Sequence, residues 1–132
     1  MKFGYTIIYV PNVAASLAFF EKAFGFTRRF LHEAGDYGEL NTGETTLAFA
    51  AHALGVMNFP SGYIEASASQ KPLGVEVAFV TPSVAEAHAK AVAVGAAEIK
   101  APETTPWGQV VSSVRCPDGT LVALGTPISR DL

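Results

Sequence analysis

One pattern of apolar and polar positions occurs twice along the chain. The segments 4–26 (GYTIIYVPNVAASLAFFEKAFGF) and 74–96 (GVEVAFVTPSVAEAHAKAVAVGA) each run from an apolar, β-rich stretch through a proline-containing turn into a helical stretch and a glycine. Self-similarity of this kind indicates a duplicated supersecondary unit. Three further strand candidates follow each helical stretch, so the pattern predicts two β-α-β-β-β modules.

Each predicted helix has start and stop signals. Asn12 is a suitable N-cap, and Gly25 suits the left-handed residue that ends a helix. In the second module Ser83 and Glu86 form a Ser-x-x-Glu capping box, and Gly95 ends the helix. Helical spacing of apolar residues predicts one buried stripe on each helix, formed by Val13, Leu17, Phe20 and Phe24 in the first and by Val84, Ala87, Ala91 and Val94 in the second.

The other strands are predicted from alternation and from turn residues. They cover residues 26–32, 37–41 and 45–52 in the first module and 98–101, 110–115 and 120–126 in the second. The modules thus span about residues 3–52 and 74–127, and residues 53–73, rich in Gly, Pro, Ser and Ala, form a linker with a short helical turn. The prediction is a single α+β domain over residues 1–132.

Helices can cover only one face of a sheet built in this way. Alternation places Leu47, Phe49, Val122 and Leu124 on the helix side. The residues left on the other face are small at many positions and polar or aromatic at a few, which is typical of a cavity lining. A dimer interface is the alternative interpretation, and the two do not exclude each other.

Composition and charge narrow the class of protein. The chain has 49% hydrophobic and 16% charged residues, which is typical of a globular domain with its own core. The net charge is -3 with scattered Lys and Arg, which argues against a nucleic-acid partner, and the Arg28–Arg29 pair is expected to be a solvated strand edge.

No apolar run approaches the roughly 18 residues of a membrane span, and the first residues lack a signal-peptide pattern, so a cytoplasmic protein is expected. Cys116 is the only cysteine, which excludes an intrachain disulfide.

Three features together resemble the vicinal oxygen chelate superfamily, which includes glyoxalase I, extradiol dioxygenases and the bleomycin-resistance proteins. They are the two β-α-β-β-β copies, the FFEKAFGF end of the first helix, and the PDG turn before the LVAL strand. The resemblance covers about residues 4–126. It implies a curved mixed sheet, or half-barrel, with helices on the convex face and a metal or ligand on the concave face. It also implies a homodimer, since many members combine strands from two units.

The glyoxalase-like members of this superfamily carry metal ligands on four strands. The resemblance places these positions on Tyr5, Ala48, Glu76 and Ala123, where the family has His or Gln, Glu, His and Glu. Only Glu76 could donate an oxygen, because the phenol of a tyrosine is protonated at neutral pH and alanine is no ligand. A catalytic metal typically needs about three protein ligands and an open position. No metal and no other cofactor is therefore expected.

Few other residues suggest chemistry. His52 is predicted at the end of the fourth strand on the free face, where it could pair with Glu76 to bind a metal or act as acid and base. His88 is predicted at the surface or boundary of the second helix. Trp107, in a Pro-Trp-Gly loop, offers a planar platform for a flat or cationic ligand, with a lid on the core as the alternative. Cys116 is predicted to be an incidental thiol, since no histidine is near in sequence to activate it.

The leading hypothesis is a metal-free binding protein rather than an enzyme, which holds a small aromatic or amphipathic molecule and sequesters a drug or toxin. The predicted lining consists of Tyr5, Tyr9, Ala48, Ala50, His52, Glu76, Trp107 and Ala123. Two alternatives stay open. One is a divergent metal-dependent lyase, isomerase or dioxygenase whose relocated site uses Glu76 and His52 with a divalent metal. The other is a structural dimer whose free face is filled by its own partner.

Overall fold

The structure is a computed structural model that describes residues 1–128. It divides into two compact units, with the boundary between Gln70 and Lys71. Each unit has its own four-stranded mixed sheet.

The first unit has the order β1 (Tyr5–Val10), α1 (Val13–Phe24), β2 (Thr27–Leu31), β3 (Tyr37–Asn41), β4 (Thr46–Ala51) and α2 (His52–Asn58). Its strand order is β1-β4-β3-β2, with β1 parallel to β4 and the other neighbours antiparallel. The helix α2 lies in the segment that the sequence assigns to a linker with a short helical turn.

The second unit repeats this arrangement. Its elements are β5 (Glu76–Val80), α3 (Val84–Ala93), β6 (Ala97–Thr104), β7 (Val110–Arg115) and β8 (Leu121–Gly125). The strand order is β5-β8-β7-β6, with β5 parallel to β8. The predicted α+β class and the two β-α-β-β-β modules are therefore confirmed. No helix within residues 1–128 has the length and apolar content needed to cross a membrane.

Helix α1 forms as its local signals predict. The Asn12 side chain accepts a hydrogen bond from the Ala15 backbone N–H at 2.9 Å, and Gly25 ends the helix at φ 77°. The ring of Phe20 packs against that of Phe49 on β4, with 4.9 Å between the ring centroids. On β3, Gly38 permits a close approach, because a Cβ there would lie 2.6 Å from Leu17 on α1.

Helix α3 departs from the prediction at two residues. Ser83 makes no side-chain capping bond, so the predicted capping box is wrong; its backbone, at φ -122° and ψ 65°, is not in the extended conformation that Asn12 has. His88, predicted at the surface or boundary, is only 4% exposed. It lies four residues after Val84 on the face of α3 that packs against the sheet, where it forms hydrogen bonds with Ser112 and Glu98.

Two element boundaries also differ from the prediction. β4 ends at Ala51, so His52 is the first residue of α2 rather than the end of the strand. β6 extends to Thr104 because two register shifts, after Glu98 and after Lys100, keep it paired with β7 past the predicted end.

The strand registers define which residues share a face. In the first unit the helix side carries Leu47, Phe49 and Gly38. The opposite side, here called the first free face, carries the paired rows Tyr5–Thr46, Ile7–Ala48–Glu39 and Tyr9–Ala50–Tyr37. In the second unit the corresponding second free face carries the rows Glu76–Leu121–Arg115, Ala78–Ala123–Ser113 and Val80–Gly125–Val111.

Candidate functional site

The middle of the first free face is a floor of two methyl groups. Ala48 and Ala50 are both buried on β4, and their row partners on β3 are Glu39 and Tyr37. Tyr5, on β1, is 59% exposed at the edge of the same face. Alternation along β4 predicts this floor, and the structure places Tyr5, Tyr9, Ala48 and Ala50 on one face as the sequence predicts.

A polar network lies beside this floor. The Tyr37 hydroxyl donates to Glu39 Oε2 at 2.7 Å, and Arg29 Nη1 donates to Glu39 Oε1 at 3.2 Å. Arg29 Nη1 also donates to Thr46 Oγ1 at 3.1 Å, and Arg29 Nε donates to Asn41 Oδ1 at 3.2 Å. Both carboxylate oxygens of Glu39 are thus occupied, and its side chain is 16% exposed.

A bulge in β2 brings Arg29 to this network. Arg28 pairs with Leu40 and Phe30 pairs with Glu39, so Arg29 is an extra residue in the strand. Arg28 faces the helix side, where it bonds Glu21 of α1 at 2.9 Å. The arginine pair lies on an edge strand as predicted, but each arginine has a carboxylate partner rather than being simply solvated.

Tyr37 remains a hydrogen-bond donor in this setting. Burial raises the pKa of the Tyr37 phenol, and the hydrogen bond to Glu39 and the charge of that carboxylate raise it further. The phenol is therefore protonated over the physiological range and holds Glu39 in place. Tyr37 and Glu39 are not among the predicted lining residues, and the signal for their role is their alternation on β3.

His52 belongs to a different cluster. Its Nδ1 lies 2.6 Å from the Tyr63 hydroxyl, and its Nε2, which has no hydrogen bond, lies 3.5 Å from Glu65 Oε1. Gly55 makes room for the Tyr63 ring, which a Cβ at that position would contact. The Tyr9 ring lies 5.5 Å from the Tyr63 ring, so His52 and Tyr9 are brought together around α2.

The other predicted site residues lie in the second unit. Glu76 is exposed at the start of β5, and Ala123 lies on the second free face between Ala78 and Ser113. Trp107 is 69% exposed, so the alternative of a lid on the core is wrong. Its indole N–H donates to Gln109 Oε1 at 3.0 Å. Gln109 Nε2 in turn donates to the backbone carbonyl of Thr126 at 2.9 Å, which orients the exposed indole.

The donor set at the four family positions does not fit a divalent metal. Two of the four side chains are methyl groups, and Tyr5 offers a phenol. Glu39, which stands opposite Ala48, is already bonded to a guanidinium and a phenol. Within residues 1–128 no three His, Cys, Asp or Glu side chains are grouped so that they could hold a metal ion.

A hydrogen-bonded chain that is buried at His88 and Ser112 joins α3 to its sheet. His88 Nδ1 lies 2.9 Å from Ser112 Oγ, and His88 Nε2 lies 2.7 Å from Glu98 Oε2. The order of residue types matches that of a serine hydrolase triad, but Ser112 is only 4% exposed on the helix side of β7. A nucleophile needs access to substrate, so the chain holds the helix in place. The signal that sequence reasoning missed is the spacing of His88 from Val84.

Two further features of the second unit carry no predicted site residue. A cavity of about 360 Å³ lies at the start of α3, lined by Pro82, Ser83, Val84, Ala85, Glu86, Val110 and Thr126. Cys116 is buried in front of the Pro117–Gly119 turn, and burial raises the pKa of its thiol, which agrees with an unreactive side chain.

Known proteins share the fold of two β-α-β-β-β modules. The family model described as the Glyoxalase/Bleomycin resistance protein/Dioxygenase superfamily matches residues 2–124. A glyoxalase/bleomycin resistance protein/dioxygenase family enzyme from Burkholderia phytofirmans PsJN superposes with a TM-score of 0.79 at 21% identity, over 97% of this chain and 100% of that chain. A glyoxalase-related enzyme from Fulvimarina pelagi gives 0.82 at 17% identity, over 99% and 94%.

A third solved structure, TioX from Micromonospora sp. ML1, gives a TM-score of 0.70 at 16% identity, over 97% of this chain and 100% of that chain. Comparison with curated proteins finds no match. At these identities the solved structures show a shared fold, and the function has to be argued from the site.

Proposed function

Because the chain belongs to the glyoxalase/bleomycin resistance protein/dioxygenase superfamily, we propose that it binds a small aromatic or amphipathic molecule on its first free face without a metal. The observation that carries the proposal is the Arg29–Glu39–Tyr37 network beside the exposed Tyr5 side chain, on a face whose central residues on β4, Ala48 and Ala50, are small. An apolar floor with a few fixed polar groups is what small-molecule sites require.

The same arrangement favours binding over catalysis. Ala48 offers no reactive atom at the centre of the face, and both carboxylate oxygens of Glu39 already accept hydrogen bonds, from Arg29 and Tyr37. In the alternative of a relocated metal site, His52 would have to act as a ligand. Both of its ring nitrogens already face residues of its own unit, Tyr63 and Glu65. Sequestration of the bound molecule, such as a drug or toxin, is the biological use that we propose.

The second unit has an exposed aromatic residue of its own that suits stacking. Trp107 presents an exposed indole whose orientation is maintained by Gln109. A planar ring of this kind stabilises flat or cationic molecules by stacking. We assign Trp107 this role, and Glu76 and Ala123 remain predicted lining residues of the second free face.

A homodimer is also part of the proposal. Strand β5 is at the edge of its sheet, and Val80 on the second free face is 69% exposed, with Ala78 exposed beside it. Exposed apolar edge strands favour association, so proteins cover or interrupt them. We propose that a second copy of the chain covers this strand in the cytoplasm.

Two measurements test the proposed function. The first is the metal content of purified protein by mass spectrometry after exposure to divalent ions and dialysis, with thermal unfolding measured alongside. We expect far less than one metal per chain and no stabilisation. Near-stoichiometric metal that raises the melting temperature would contradict the metal-free site.

The second measurement is calorimetric titration with a flat aromatic probe, 2-naphthol. We expect binding that Trp107→Ala weakens by about threefold to tenfold, which corresponds to one aromatic contact of roughly 0.5–1.5 kcal/mol. The melting temperature should not change, because the indole is largely exposed. Ile99→Ala, at another exposed apolar residue of the second unit, is the matched control. Affinity that is equal in all three proteins would show that Trp107 does not stack against the probe.

A further inference from the structure

We propose that Arg29 anchors an acidic oxygen of the bound molecule, so that the ligands of the first free face are aromatic carboxylic acids. This inference rests on the proposed function and adds the chemical class of the ligand. Two observations support it: hydrogen bonds hold the Arg29 guanidinium in place, and they do not use its Nη2 group.

The guanidinium is fixed from two sides. Arg29 Nε donates to Asn41 on β3, and Nη1 donates to Glu39 on β3 and to Thr46 on β4. These bonds use the Nε–H and both hydrogens of Nη1. The two N–H groups of Nη2 have no hydrogen-bond partner among residues 1–128, and the side chain is 41% exposed. A donor pair on a rigid support is therefore presented to solvent.

Preorganisation makes this donor pair suitable for binding. An arginine that is already held in one conformation loses less rotamer freedom when a ligand arrives than a mobile one does. Guanidinium groups bind carboxylate oxygens through short, charge-assisted hydrogen bonds. Tyr5 pairs with Thr46 on the same face, so an aromatic ring can lie against the Tyr5 phenol while its acidic group accepts from Nη2.

The charges of the network favour an acid over an amine. Glu39 is the carboxylate of the pair, but its side chain is 16% exposed and both of its oxygens already accept hydrogen bonds. Arg29 is the more exposed member, with donors to spare. A molecule that approaches this side of the face therefore meets unsatisfied N–H groups of a cation before it meets the carboxylate.

The test compares two probes with the same ring, the anionic 2-naphthoate and the neutral 2-naphthamide, by calorimetric titration. In the natural protein we expect the acid to bind at least about tenfold more tightly than the amide, as for one charge-assisted hydrogen bond. Arg29→Gln should bring the two affinities within about twofold of each other by weakening the acid alone. Arg28→Gln is the matched control, because Arg28 faces the helix side and bonds Glu21; it should leave the preference unchanged.

The outcomes separate this inference from the proposed function. Equal affinities in the natural protein, or a preference that survives Arg29→Gln, would overturn the anchor while amide binding still supports an aromatic site. Binding of neither probe would overturn both. If Arg29→Gln does not fold, Arg29→Lys decides, since it keeps the charge but cannot make the same three bonds. We expect it to lower the preference at least about threefold, and an unchanged preference would overturn the anchor.

Discussion

Tyr37 belongs to the proposed binding face and also contributes to stability. Its hydroxyl fixes the carboxylate of Glu39, and burial together with that carboxylate raises the pKa of the phenol above its ordinary value of 10.0. The unfolded chain therefore loses the Tyr37 proton near pH 10, whereas the folded protein keeps it to higher pH. The contribution of this group to stability is present below pH 10 and falls as the pH rises further.

The pH dependence gives a prediction for Tyr37→Phe. Above about pH 10, the free energy of unfolding of the natural protein should decline more steeply than that of the variant, by up to about 1 kcal/mol per pH unit after allowance for solvent screening. Urea unfolding at pH 8, 10.5 and 11.5 measures this difference. Near neutral pH the variant should lose only the net value of one hydrogen bond, about 0.5–1.5 kcal/mol. Parallel curves above pH 10 would show that the Tyr37 phenol titrates alike in both states.

At the scale of elements, α3 depends on a polar clamp rather than on its apolar stripe alone. His88 connects Ser112 on β7 with Glu98 on β6, and the helix contributes only the small or β-branched Val84, Ala87 and Ala91 beside it. The imidazole takes the position that the apolar Leu17 has in α1, because each follows the buried valine that begins its helix, Val84 or Val13, by four residues.

His88→Ala should therefore destabilise the protein markedly. The change leaves the Ser112 hydroxyl buried without a partner and opens a cavity, and each effect costs about 1–3 kcal/mol. The free energy of unfolding in urea should fall by roughly 2–4 kcal/mol when the two effects partly overlap. Lys90→Ala, at an exposed position of the same helix, is the control and should stay within about 0.5 kcal/mol of the natural protein. A His88→Ala variant as stable as this control would show that the clamp contributes nothing.

Elements with strong local signals could be predicted from the sequence, and side-chain partners could not. Helix α1 begins after Asn12 and ends at Gly25 as expected, because both residues form hydrogen bonds with backbone groups only a few residues away. Ser83 looks equally good as a cap, yet its use depends on a backbone angle that the Thr81–Ser83 turn decides. His88 is polar, so the sequence predicts it at the surface or boundary, because its partners lie 10 and 24 residues away in the chain and give no local signal.

The candidate site shows the same division between local pattern and distant contact. Alternation along β4 places Ala48 and Ala50 on the free face correctly. The proposed role of Arg29 depends on a bulge in β2, and the position of the bulge is set by the pairing of β2 with β3. The sequence of β2 alone does not show with which residues of β3 it pairs. The predicted position of His52 is wrong by one residue, because β4 ends at Ala51 and α2 begins at His52.

At the scale of the whole molecule, the exposed residues of β5 predict a dimer. Light scattering coupled to size exclusion should give twice the chain mass of 13.9 kDa. Val80→Glu should shift the protein toward the monomer, because it places a charge on the exposed edge strand. Val92→Glu, at an exposed position of α3, should leave the mass unchanged. A natural protein that elutes as a monomer at micromolar concentration would contradict the dimer.

The single extra residue in β2 also bears on how a binding face of this kind can originate and be redesigned. Thr27 and Phe30 face one way and Arg28 and Leu31 the other, which is the alternation that the strand would have if Arg29 were missing. Insertion of one codon into the gene therefore suffices to add a guanidinium to a finished sheet without turning any neighbouring side chain. Exchange of that codon alone can give the face a different polar group, so the ligand preference that we propose can change separately from the fold.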